Sequence, residues 1–94
     1  MYVALAHLAP VAAAAVPTDA DARLVHDALW AHATPAHQLE HVRARAEAGG
    51  ITLTFFVNRR VGGPEQAKRK SADLLRRARS ATVLSCFGIP HLHS

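Results

Sequence analysis

Histidine, glutamate and arginine are the residues here whose types and spacing could carry chemistry. His37-Gln38-Leu39-Glu40-His41 puts two histidines four apart with a glutamate before the second. On a helix that spacing presents two zinc ligands on one face with a general base beside them. The pattern fixes only three positions in a histidine-rich chain, and a third ligand must come from elsewhere. If His41 enters a strand, the shared face disappears. No metal and no cofactor are therefore expected. His91 and His93, two apart near the end of the sequence, can chelate only adventitiously from a frayed segment. His7 falls in an apolar run, where a histidine is usually a hydrogen-bonded core residue. Facing an open cavity, it would act as general acid or base, with Tyr2, Arg43 and Arg45 as the polar groups around it. Cys86, the only cysteine, reads as a small buried hydrophobe.

Positive charge is concentrated in one stretch. Arg59, Arg60, Lys68, Arg69, Lys70, Arg76, Arg77 and Arg79 are eight of the eleven Lys and Arg residues. Glu65 and Asp73 alone offset them there. Such a run can neutralise phosphates, with Arg59, Arg60, Lys68, Arg69 and Arg76 as nucleic-acid or anion contacts. The ordinary reading is the wet face of a helix, and nucleic acid is not the favoured partner. Gly62-Gly63 ahead of a helix start, beside Arg59 and Arg60, offers a weaker anion site.

These groups need elements to hold them. Residues 2–9 are short, apolar and stopped by Pro10, which reads as a buried strand. Thr18-Asp19-Ala20-Asp21 is a helix start, with Thr18 as cap and two aspartates at the positive end of the dipole. The helix runs to about Ala33, with Ala22, Val25, Leu29 and His32 or Ala33 as its buried stripe. Trp30 lies off that stripe. Thr34-Pro35 ends it.

Two readings of residues 35–58 stay open. In the favoured one, Val42, Ala44, Ala46 and Ala48 alternate with Arg43, Arg45 and Glu47. Gly49-Gly50 turns the chain, and Ile51, Leu53, Phe55 and Val57 alternate with Thr52, Thr54 and Phe56. In the other, a helix runs from Pro35 to Ala48 on a thin stripe of Leu39, Val42 and Ala46. A second helix starts near Pro64, with Ala67, Ser71, Leu74, Leu75 and Ala78 inward. A last strand is expected from Ala81 to Phe87, followed by a tail at 91–94.

The order strand, helix, strand, strand, helix, strand resembles the ferredoxin-like split βαβ motif. The resemblance covers residues 2–87 and implies a βαββαβ sandwich, a four-stranded antiparallel sheet with two helices on one face. That fold hosts unrelated activities and transfers no functional residue. Met1-Tyr2-Val3 has a slight likeness to the first strand of the RRM module. Ile51 to Asn58 lacks the basic-glycine-aromatic pattern the module needs, so sequence-specific RNA binding is not expected.

Ninety-four residues fit a single domain, here a folded core over 1–90, and half of them are apolar. Alanine supplies much of that half, so the core is thin and a homodimer is expected. A single cysteine permits no internal disulfide and favours a reducing compartment. The apolar N-terminal run has no preceding positive charge and is too short to span a bilayer, which points to the cytoplasm and no membrane. The alanine and arginine bias suits a GC-rich bacterial genome.

Functionally, no catalytic constellation stands out. With helices on one sheet face, the other must meet a partner. Arg43, Arg45, Thr52, Thr54 and Phe56 would lie on it, joined by Tyr2, Ala4, Ala6 and Leu8. The expectation is a non-catalytic accessory protein, a homodimer through its sheet face that binds a partner or small ligand. The alternatives are a small dimeric α+β-barrel enzyme of the cyclase, isomerase or oxygenase type, and a nucleic-acid binder through 59–79.

Overall fold

The computed structural model describes residues 1–9, 16–79 and 91–93. Its elements are β1 (Tyr2–Leu8), α1 (Asp19–His32), β2 (Leu39–Glu47), β3 (Gly50–Val57), α2 (Pro64–Arg79) and β4 (His91–His93). Single turns of 3-10 helix at Pro35–His37 and Arg59–Val61 lead into β2 and α2.

Three strands of seven to nine residues form the antiparallel sheet, in the order β2-β3-β1. β4 adds three residues on the outer side of β1, opposite Leu5, Ala6 and His7. This corrects the expected four-stranded ferredoxin-like sandwich. Among the described residues the protein is α+β, with a three-stranded antiparallel sheet and two α-helices. Only a three-residue segment, from the stretch read as a tail, stands where a full fourth strand was expected. The strand placed at Ala81–Phe87, with Cys86, lies outside the described residues.

The period-two pattern of 42–57 does fold back on itself, so the helical reading of Pro35–Ala48 falls. Pairs run from Val42↔Phe55 to Glu47↔Gly50. Ala48 and Gly49 make the two-residue turn, and Gly50 already belongs to the ladder. Gly50 has φ +145°, and a Cβ there would lie 2.0 Å from the Leu8 carbonyl oxygen. Glycine is required because β1 passes directly over this backbone.

α1 starts as its residues dictate. The Thr18 hydroxyl accepts from the Asp21 N–H at 3.2 Å, and the Asp21 carboxylate accepts from the Thr18 N–H at 2.9 Å. This is a capping box closed by aspartate. Ala22, Val25, Ala28 and Leu29 of α1 are buried, as are Ala67, Leu74, Leu75 and Ala78 of α2. They pack on Ala4, Ala6, Leu8, Val42, Ile51, Leu53, Phe55 and Val57 in one core. Phe55 is fully buried at its centre, worth about 2–3 kcal/mol of apolar transfer.

The phase of β1 reverses the expectation. Ala4, Ala6 and Leu8 face the helices, and Tyr2 packs partly buried on the core's edge. Val3, Leu5 and His7 occupy the other face. Small buried alanines line this interface from both sides, Ala4 and Ala6 on β1, Ala22 and Ala28 on α1, and Ala67 and Ala78 on α2.

Candidate functional site

Cross-strand register assembles the uncovered face in rows. His41, Phe56 and Val3 form the first, Arg43, Thr54 and Leu5 the second, and Arg45, Thr52 and His7 the third. The five residues expected to bind a partner, Arg43, Arg45, Thr52, Thr54 and Phe56, thus share one surface. Apolar groups reach solvent on it, since Val3 is 47 % and Leu5 40 % exposed. The His41 ring lies 5.5 Å from that of Phe56, tilted by 39°. Glu47 closes the third row's end, where its carboxylate accepts from the Thr52 hydroxyl at 3.0 Å. No hydrogen bond or ion pair among the described residues engages Arg43 or Arg45. The face therefore joins an apolar centre on β1 and β3 to two unneutralised guanidinium groups on β2.

The four residues named for an enzyme do not converge. Arg43, Arg45 and His7 are on this face, but Tyr2 is on the other. The His7 Nε2–H donates to the Gly49 carbonyl at 3.0 Å, which ties the histidine to the hairpin tip. A shallow groove between α1 and β2, lined by Asp19, Ala22, Arg23, His26, Asp27 and Ala44, does not include His7.

The H-x-x-E-H residues separate. His37 lies in a 3-10 turn and is 3 % exposed, His41 is on the open face, and Glu40 accepts from the Asn58 side-chain amide at 3.2 Å. Both ring nitrogens of His37 are occupied. The Thr34 N–H donates to Nδ1 at 2.9 Å, and Nε2–H donates to Asp73 of α2 at 2.8 Å. A backbone N–H cannot accept, so Nδ1 carries the lone pair and His37 is the neutral Nε2–H tautomer. No lone pair remains for a metal. Among the described residues no three His, Cys, Asp or Glu side chains group to hold one.

His37 with Asp73 is a pair the sequence did not disclose. Asp73 also accepts from Arg76 at 3.2 Å and from Arg77 at 2.9 Å. The His37 bond, then those of Arg76 and Arg77, hold its carboxyl down at about 2 against the opposing effect of partial burial. The pair fastens α2 to the turn that delivers β2, so it positions the arginine-bearing strand.

The basic segment divides. Arg59 and Arg60 are exposed in the 3-10 turn ahead of α2, and Arg69 is exposed on α2 itself. Lys68 is half-buried, and Arg76 is committed to Asp73. Among the described residues no helix is long and apolar enough to cross a membrane. No protein-family model, curated protein or solved structure matches this chain.

Proposed function

We propose that this chain is a non-catalytic binding protein whose open sheet face takes up an apolar ligand bearing a carboxylate. One observation carries the reading: Arg43 and Arg45, unpaired among the described residues, flank a strip of exposed Val3 and Leu5 and half-buried Phe56. An apolar body loses water contact on the strip, while guanidinium groups bind a carboxylate in a forked, charge-assisted geometry. The Thr54 hydroxyl sits between the two and can donate to the headgroup. Val3 to His7 spans about 13 Å at 3.3 Å per residue, the length of a ten-carbon chain.

Calorimetric titration tests this with two probes of one chain length, decanoate and decyltrimethylammonium. Saturable binding of decanoate alone is expected, lost in the Arg43→Glu, Arg45→Glu double variant. Equal binding of the cationic probe, or no change in the variant, would overturn the proposal.

A further inference from the structure

The sheet has a free long edge. β2 pairs with β3 on one side, and no described strand pairs with its other. A register shift between Leu39 and His41 leaves His41–Glu47 as the regular stretch. The core also thins here, because Ala44 and Ala46 pack on it while remaining half-buried. An open ladder of backbone donors and acceptors beside half-covered apolar groups is a template for another strand.

Charge decides which strand. Arg43, Arg45 and Glu47 alternate along one face of β2, positive, positive, negative. An antiparallel copy of the same strand, with the two-fold axis at Arg45, sets Arg43 against the partner's Glu47 twice. It also sets Ala44 against the partner's Ala46 twice and places one like-charged pair, Arg45 with itself, on the axis. Shifting the axis to Ala44 opposes Arg43 and Arg45 in two repulsive pairs. Shifting it to Ala46 leaves only residues 45–47 of each strand facing one another. Stacking two open faces instead would bury four arginines against two Glu47 carboxylates that already accept from Thr52.

We propose that the protein is a homodimer joined edge to edge through β2, with reciprocal Arg43–Glu47 pairs and a continuous sheet across the two-fold axis. Both open faces then lie side by side and uncovered; Arg43 is shared with the partner's Glu47, and the two Arg45 guanidinium groups that meet on the axis remain for a carboxylate headgroup. This holds whatever ligand the face takes.

Size-exclusion chromatography with light scattering on the full chain tests it. The wild type is expected at twice the chain mass. Glu47→Arg should weaken association by roughly tenfold or more, because two attractive cross-strand pairs become repulsive. Adding Arg43→Glu to that variant should restore the dimer, and Leu5→Asp on the open face should leave it intact. These positions are all solvent-exposed or at the open face, and circular dichroism verifies that each variant folds. A wild-type monomer at micromolar concentration, a dimer indifferent to Glu47→Arg, or one abolished by Leu5→Asp would overturn the proposal.

Discussion

Phe55 and Phe56 are neighbours in the chain and occupy opposite sides of the same strand. Phe55 sits fully buried beneath both helices, among side chains that are almost all aliphatic. Phe56 stands half-buried on the other side, against the His41 ring and in a row with exposed Val3. The first face is sealed by packing. The second keeps a similar apolar group in reach of water, with two arginines at its flank. A face that served stability alone would not need both. In the proposed reading the uncovered side binds, while the covered side carries the fold energetics.

The largest expected effect breaks the covered side at its closest approach. Gly50→Ala would drive a Cβ into the Leu8 carbonyl oxygen at 2.0 Å and into His7 Nε2 at 2.9 Å. A loss of about 3 kcal/mol or more is expected in urea denaturation, enough to leave much of the chain unfolded. Phe55→Ala should cost about 3–5 kcal/mol by cavity formation. Phe56→Ala should cost under about 1 kcal/mol, and a similar loss at both positions would dissolve the distinction between the faces. His37→Ala removes a buried ring that bridges the Thr34 backbone to Asp73 and should cost about 1–3 kcal/mol.

A pH scan sharpens the role of that latch. The Asp73 carboxyl is lowered in the folded state, so its contribution is complete above the ordinary carboxylate range, near 4. It is lost as pH falls toward about 2. The melting temperature of the wild type should drop through that window, and Asp73→Asn should show a shallower drop. The smallest effect is on α2, where the buried Ser71 hydroxyl has no hydrogen-bond partner among the described residues. Ser71→Ala should raise stability by up to about 1 kcal/mol, through desolvation relieved and helix propensity gained.

How much of this the residues disclosed depends on whether a pattern carries phase. The hairpin was legible, because Arg43-Ala44-Arg45-Ala46-Glu47 and Thr52-Leu53-Thr54-Phe55-Phe56-Val57 alternate, and alternation assigns each residue a side. The shared side of Arg43, Arg45, Thr52, Thr54 and Phe56 followed directly. Helix α2 was legible to the residue, since its cations separate the wet face from Ala67, Ser71, Leu74, Leu75 and Ala78. β1 was not. Tyr2 to Leu8 is apolar almost throughout, so its residues did not mark which side turns inward; in the fold the small Ala4 and Ala6 do. That choice exchanged Tyr2, Ala4, Ala6 and Leu8 for Val3, Leu5 and His7 on the open face. The four-stranded sheet failed because order of elements fixes neither the length of the last strand nor its place. His37 with Asp73 was invisible for another reason: the partners are thirty-six positions apart, and no local spacing links them.

The uncovered face, and not the basic helix, is the proposed binding surface. The most direct measurement is a two-dimensional amide NMR titration of the full chain with decanoate. Saturable shifts are expected at Val3, Leu5, Arg43, Thr54 and Phe56, with Arg69 and Lys70 of α2 unmoved. Shifts centred on Arg59, Arg60 and Arg69 instead, with the sheet face silent, would contradict it.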